Sequence, residues 1–473
     1  MKKILSLEII ISILVFVILM FITFNTNTVG DTGDSLTHYL FARYSLIYPH
    51  FFLDHWAKPV YVLLATPFAQ FGFKGIEVFN CICATLTALF TFYTARNLKI
   101  KNNWLVFILI LFSPLYFKLI FSGLTEYLFG LILILGIYFS SRSRDIIAII
   151  LISFLPLVRS EGLIIVGVFG IYYFLNKKYK LLPFLMVGQV IYTMIGAFYY
   201  KDLMWVVNKI PYANLDSPYG KGQLFDFVHR LNYVIEKPIY LLLIVGVFSM
   251  MFLIIKKGWS EMKDLKTILI LGSFLCYFVA HAFFWWQGIF NSMGLPRVLN
   301  AIVPLIALIS LIGLQNITDR IENIKFKKSL LTGIAVIICL FPFTNRVQGV
   351  VFEKDMFVIK ETQLIDEEVV PYIKQYFPEH AQNTFYFSQP YFCLGLDIDY
   401  FNADKHREMQ HLTLDQLNSN AIVLWDDWYS VIQGGVSLEQ MIQDDRFELI
   451  KSFQRQENER LIEYKVFVVS TKN

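Results

Sequence analysis

Apolar runs long enough to cross a lipid bilayer recur from the N-terminus to about residue 344, beginning with Ile4 to Phe24, and they constrain the fold more than anything else in the chain. A helix of ~20 residues, rising about 1.5 Å per residue, matches a hydrocarbon core of about 30 Å. In hydrocarbon every backbone N–H and C=O must be paired within the segment, so isolated runs of this kind are helices. With 56% hydrophobic and 16% charged residues over 473 positions, the pattern excludes a soluble globule. The formal net charge of +4 comes largely from short basic clusters between the runs, which is topological information rather than a nucleic-acid-binding patch. The sequence therefore predicts an α-helical polytopic membrane protein.

Basic residues orient the spans. Lys2 and Lys3 place the N-terminus in the cytoplasm. The first apolar run is too long for a signal-peptide h-region and no small-residue cleavage site follows it, so it is expected to remain as an anchor. It delivers a polar loop, residues 25–58, to the outside, where Leu36 to Tyr48 carries apolar residues at helical spacing. A second helix is expected between about Val60 and Ala95, with Arg96, Lys99 and Lys101 at its inner end. Trp104 to Phe121 goes out, and Leu124 to Phe139 returns to Arg142 and Arg144. Asp145 to Leu175 is too long for one span and is broken at Pro156 and Arg159-Ser160-Glu161-Gly162, which predicts two helices with an outer hinge. Leu181 to Tyr200 exits to a polar loop holding Asp202, Asp216, Asp226 and His229. Ile239 to Ile255, Thr267 to Trp286, Val298 to Gln315 and Ser329 to Phe343 complete the set. The count is about eleven transmembrane helices, an odd number, in the plasma or inner membrane of a cell. Every strong basic cluster between spans then lies inside, and both the first loop and the C-terminus lie outside.

Past Asn345 the composition changes. Thr384 to Ser388, Ala421 to Trp425 and Glu463 to Ser470 are short, strand-like stretches separated by acidic helical ones such as Leu438 to Asp445. Two domains follow: a transmembrane domain, 1–344, and a small extracytoplasmic soluble α/β domain, 345–473. In the second, Trp425-Asp426-Asp427-Trp428-Tyr429 either ends a strand or offers aromatic faces to a sugar. The five cysteines are too few and dispersed for a disulfide scaffold; Cys81, Cys83, Cys276 and Cys339 fall in apolar segments and are expected to be buried thiols.

Ionisable side chains at membrane depth cost several kcal/mol unless paired or hydrated, so each position carries information. On the outer face the candidates are Asp31 and Asp34 in the first loop, Glu126, Arg159 with Glu161, and Arg297, all at helix boundaries. Glu126 by itself fits an ordinary wet interfacial residue. Asp34 follows Gly33 at the start of a surface helix, where an acid serves either as a chemical group or as an N-cap. Lys58, ahead of the helix-starting Pro59, is placed to meet a lipid-linked phosphate, or else to snorkel. His55 joins it as a candidate substrate contact. Arg297 suits the same phosphate through bidentate hydrogen bonding. His38, His50, His55 and His281 lack metal-ligand spacing, so no metal site or cofactor is expected; a divalent cation on Asp31 and Asp34 has no other support. No Gly-rich phosphate loop is present, which argues against a nucleotide-sugar donor.

Together, the long outer loop with an early Asp, Lys58-Pro59, the Arg-x-Glu-Gly hinge, Arg297 ahead of a proline-bearing span, and the outer C-terminal domain resemble the GT-C superfold of polyprenyl-phosphate-sugar-dependent glycosyltransferases. Bacterial protein mannosyltransferases and aminoarabinose transferases are the nearest in pattern. The resemblance covers nearly the whole chain through short motifs. It implies a membrane glycosyltransferase of the cell envelope that moves a hexose or pentose from a polyprenyl-phosphate donor to a glycan, lipid or protein acceptor. It further implies that Asp34 is the base of an inverting transfer, that Lys58 and Arg297 engage the donor phosphate, and that Glu126, Arg159 and Glu161 shape the cavity. In such families the loop acid commonly opens an Asp-Glu pair; here Ser35 follows Asp34. The rival readings are a transporter or flippase, and an O-antigen ligase or polymerase, acting on a lipid-linked saccharide. Repeated halves would favour the transporter; basic residues of the outer loop 201–238 fit the ligase.

Overall fold

The computed structural model describes residues 6–211, 217, 219–413, 421–457 and 459–469. Lys2, Lys3, Asp216 and Ser470, on which some of the expectations above fall, lie outside the described residues. Among the described residues, seven helical segments are long and apolar enough to cross a membrane. They are Leu7–Asn25 (α1), Phe73–Asn97 (α4), Tyr179–Tyr200, Asp226–Lys257 (α10), Lys266–Gln287, Pro296–Thr318 and Ile324–Phe343. Shorter or broken helices make the other passes: Leu105–Leu111 (α5) with Pro114–Leu119 (α6), Glu126–Ser141 (α7), Asp145–Ser153 (α8) and Gly162–Leu175 (α9). The chain is a multi-pass helical membrane protein, and its passes match the expected set roughly.

Ion pairs identify the two ends of the bundle. Arg96 at the end of α4 meets Glu8 at the start of α1 at 2.8 Å; Lys101 meets Asp319 at 2.7 Å; Lys178 meets Asp145 at 2.5 Å. These pairs gather the expected basic clusters at one end. The carboxylates and cations singled out from the sequence lie at the other, together with the C-terminal sheet.

The expected second helix, Val60 to Ala95, is two. Pro59–Ala69 (α3) stops at Gln70-Phe71-Gly72, where Gly72 takes a φ of +78° that other residues rarely adopt, and α4 begins at Phe73. Both ends of α3 stay at the site end: Lys58 precedes it, and Lys74, just past it, donates to the Thr26 carbonyl at the end of α1. The helix therefore packs on Asp34–Tyr44 (α2) without crossing. Pro156 and the following hinge split α8 from α9 as the sequence predicts.

Pro296–Thr318, comprising a 3-10 turn at Pro296–Ile302 and the α-helix Val303–Thr318, is the central helix. Of its apolar window 94% is buried, against 17% for α1 on the periphery. It crosses α10 where Gly246 faces Gly313; a Cβ on Gly246 would lie 2.1 Å from the Ile309 carbonyl oxygen. Without a hydrophobic drive between helices in lipid, such small residues permit the close van der Waals contact that holds a pair together. Cys81 and Cys83 are buried as expected, but Cys276 is exposed on the flank of its helix and Cys339 is partly so, because an apolar run in a bundle has a lipid-facing side.

Among the described residues the C-terminal sheet has five strands: Thr384–Tyr386 (β1), His406–Arg407 (β2), Ala421–Asp426 (β3), Phe447–Glu457 (β4) and Arg460–Val469 (β5), in the order β2-β1-β3-β5-β4. The pairings β1 with β2 and β1 with β3 are parallel, and β5 is antiparallel to both β3 and β4. The three expected strands are present; β2, only two residues long, and β4, whose alternation is weak and mostly polar, are additions that the sequence pattern does not signal.

Candidate functional site

Arg297 sits at the head of the central helix, in the turn opened by Pro296, and its guanidinium meets three carboxylates. Nη1 lies 3.1 Å from Glu126 Oε1, Nη2 lies 2.5 Å from Asp34 Oδ2, and Nε lies 3.6 Å from Asp31 Oδ2. The same Glu126 oxygen is 2.9 Å from Arg159 Nη1, and Arg159 Nη2 reaches Glu161 Oε1 at 2.9 Å. Arg159 also donates to Thr125 Oγ1 at 3.0 Å, and His281 Nε2 lies 3.6 Å from Glu161. Six of the sequence-derived candidates thus form one ion-pair network: Asp31, Asp34, Glu126, Arg159, Glu161 and Arg297.

Glu126 is not the wet interfacial residue that its position alone suggests. Its side chain is 1% exposed, and one of its oxygens bridges two arginines. It starts α7 at the site end, where the turn after α6 is drawn in: Asn80 of α4 donates to the carbonyls of Ser122 and Leu124.

Asp34 is not an N-cap. Asp31 does that work, its Oδ1 accepting from the Gly33 N–H at 3.1 Å and the Ser35 N–H at 3.3 Å, while Asp34 turns toward Arg297. Ser35, in the place of a second acid, is fully buried; its hydroxyl donates to the Val29 carbonyl at 2.6 Å and accepts from the Gly123 N–H at 2.7 Å. A Cβ on Gly123 would lie 2.1 Å from the Ser35 carbonyl oxygen. This close approach packs the first turn of α2 directly against the turn at Gly123. The Asp34 side chain keeps 46% of its surface exposed, against 9% for Arg297, so the network opens to solvent at Asp34. Burial by itself would raise the Asp34 carboxyl; the Arg297 charge outweighs it and holds the group at about 2.

Lys58 occupies a left-handed conformation, φ 65° and ψ 87°, immediately before Pro59. A positive φ on a non-glycine residue is a strained state costing of order 1–3 kcal/mol, the kind that clusters at functional sites. Its ammonium donates to the His55 carbonyl at 3.3 Å and feels the charges of Glu161, Arg159 and Asp34. Burial, partly offset by Glu161, brings it down to about 8. His55 stands apart from the arginine network. Its ring packs on Trp205, centroids 5.0 Å apart, and lines a cleft of about 270 Å³ with Asp54, Trp56, Tyr200 and Lys209.

Three contributors escape the sequence reading. His38 lies one helical turn after Asp34, against Trp56 and Tyr61, and burial pushes its imidazole down to about 3, so it is neutral; its i+4 spacing from Asp34 is the available signal. His281, on an otherwise apolar span, enters above only for lacking metal spacing, although an intramembrane ionisable residue is itself a signal. Tyr429 of the C-terminal domain reaches the first loop: its hydroxyl is 2.9 Å from Thr32 Oγ1, and Thr32 also donates to Glu361 at 3.3 Å. Nothing local in the sequence announces that contact. The Trp425–Tyr429 cluster is mostly strand end, as expected, with Trp425 in the core donating to the Val436 carbonyl and buried Asp426 accepting from the N–H groups of Trp428, Tyr429 and Ser430.

No family model matches the chain, and no curated protein matches it. Among solved structures it is similar to the crystal structure of ArnT from Cupriavidus metallidurans bound to undecaprenyl phosphate. The two share 10% sequence identity at a TM-score of 0.56, over 97% of each chain. At that identity the likeness establishes the fold, a GT-C-like helical membrane domain with a small C-terminal α/β domain.

Proposed function

We propose that this chain is an integral membrane glycosyltransferase that moves a sugar from a polyprenyl-phosphate donor to an extracytoplasmic acceptor, with inversion. The observation that carries the reading is the juxtaposition of Arg297 with Asp34, 2.5 Å apart, at the bundle end that also bears Lys58. It sits in a fold whose solved neighbour holds undecaprenyl phosphate. In this reading residues 1–344 form the transferase domain, and both the 25–58 loop and the domain 345–473 face away from the cytoplasm.

The residues divide the work as the chemistry requires. Asp34 takes the proton of the acceptor hydroxyl as its oxygen attacks the anomeric carbon. The bond from that carbon to the phosphate oxygen breaks, and the electron pair leaves with the polyprenyl phosphate, whose charge Arg297 and Lys58 hold. A phosphate is a good leaving group, so no general acid enters, and the reading includes no metal or cofactor. Glu126, Arg159 and Glu161 fix Arg297 and the cavity wall; Asp31 caps the turn that carries Asp34. His55 and its cleft lie where an acceptor glycan, lipid or protein hydroxyl would approach. The concentration of charge at one end of the bundle, rather than at mid-depth, favours a transferase over a transporter.

The test is transfer of labelled sugar from polyprenyl phosphate in membranes containing the wild type or Asp34→Asn at matched expression. Transfer by the wild type and its loss in a folded Asp34→Asn protein is the expected result. Full activity in the variant would remove the base assignment. Absence of transfer from every polyprenyl-phosphate sugar tried would overturn the transferase reading.

A further inference from the structure

A guanidinium grips a phosphate best along one edge, with two parallel N–H···O bonds. In Arg297 one outer edge is committed: Nη1 points to Glu126, itself buried and shared with Arg159. The remaining edge, Nε with Nη2, is the one turned toward the loop acids. Asp34 holds it at Nη2 alone, and the Nε–H is buried with no hydrogen-bond partner among the described residues, Asp31 Oδ2 being 3.6 Å away. The fork that would accept an anion bidentately is therefore occupied by one carboxylate using one of its two donors.

The charges of the network point the same way. Asp31, Asp34, Glu126 and Glu161 face Arg159, Arg297 and Lys58, so the cations are already neutralised. An incoming phosphate gains little unless a carboxylate gives way. Glu126, 1% exposed and pinned by two arginines, cannot; Asp34, 46% exposed and on the first turn of a short helix, can.

We infer that Asp34 is a displaceable latch on Arg297: an anionic phosphate head group takes the Nε/Nη2 edge, and the carboxylate it expels becomes the free base. The exchange breaks one hydrogen bond, from Nη2 to Asp34, and forms two, from Nε and Nη2 to phosphate oxygens. It also satisfies the buried Nε–H. Asp34, no longer bound to a cation, becomes a stronger base only once a donor is in place, so an empty site has little capacity to activate water or a stray hydroxyl. This inference rests on the polyprenyl-phosphate reading proposed above and adds the order of events to it.

The experiment is equilibrium binding of undecaprenyl phosphate to the purified full chain in nanodiscs, for the wild type, Asp34→Asn and Asp34→Ala, with thermal unfolding of each to confirm folding. Removing the competing carboxylate is expected to tighten binding about tenfold in both variants while transfer is lost. Equal or weaker binding by the folded variants would overturn the latch and leave the donor reading standing. Absence of undecaprenyl phosphate binding by the wild type and both variants would overturn the two together. Should one variant fail to fold, the other gives the same comparison, because either substitution removes the charge that competes for Arg297.

Discussion

Tyr429 and Thr32 share a hydrogen bond of 2.9 Å across 397 residues of chain, joining the C-terminal domain to the turn that carries Asp34. Thr32 also donates to Glu361, which Arg460 holds at 2.7 Å, and Arg460 in turn pairs with Asp427 at 3.0 Å. The C-terminal domain thus touches the loop one residue from Gly33, whose missing side chain makes the approach tolerable: a Cβ there would lie 2.9 Å from the Tyr429 hydroxyl. Its position beside the site follows from specific bonds rather than from tethering alone.

Removing the Tyr429 hydroxyl in Tyr429→Phe should cost about 1 kcal/mol of stability. It should lower kcat several-fold with KM for the donor unchanged, since the loop is loosened and the phosphate site is not. Thr32→Val should act alike, and the double variant should be clearly less damaging than the sum. A double-mutant cycle in kcat checks this; strict additivity would show that the bond does not position the loop.

Glu126→Gln is expected to be the most damaging single change at the site. The isosteric amide leaves two buried guanidinium groups without their shared carboxylate, and breaking a buried ion pair from one side costs about 3–5 kcal/mol. Thermal unfolding in detergent should show a large drop, and Glu126→Asp should recover part of it.

The pH dependence separates Lys58 from the acids. With its ammonium at about 8 in the free protein, kcat/KM for the donor should fall as pH rises past that value, and Lys58→Arg should remove this limb. An unfolded lysine keeps its proton to about 10.4. Between those values the unfolded chain binds more protons, so Lys58 adds stability as pH rises. Asp34 and Glu161, both held at about 2 because Arg297 and Arg159 respectively outweigh burial, behave oppositely. Their contribution is complete above the unfolded carboxylate range of about 4 and is lost as pH falls toward 2. Unfolding scans from about pH 2 to 10.5 on wild type and single variants, a window that spans both ranges, test both signs.

Lys58→Gly should abolish donor binding while lowering the melting temperature less than Lys58→Ala does, because glycine takes a φ of 65° freely and the released backbone strain offsets part of what the side chain's contacts supply. A large drop in melting temperature would show that Lys58 is held there for structure.

The proposed orientation is open to a direct check. Alkaline phosphatase fused after the C-terminal domain should be active and a fluorescent protein there dark, with the reverse for fusions between Asp319 and Lys327, at the opposite end of the bundle. The opposite pattern would reverse the membrane orientation.

The helical class, the approximate number of passes, the break at Pro156 and the strands β1, β3 and β5 are legible in the sequence because each depends on local hydropathy, proline geometry or alternation. The same logic marks Asp34, Glu126, Arg159, Glu161 and Arg297, since an ionisable group beside an apolar run costs free energy unless something compensates it. What compensates it is not legible. Glu126 and Arg297 are 171 residues apart, and only the packing of α7 against the head of the central helix brings them within 3.1 Å. Likewise, that Asp31 rather than Asp34 caps α2, that the Ser35 hydroxyl accepts from the Gly123 N–H, and that Tyr429 reaches the first loop were decided by tertiary contacts. The sequence determines which side chains cannot be left alone in a membrane; the fold chooses their partners, because charge pairing acts through space and is indifferent to separation along the chain.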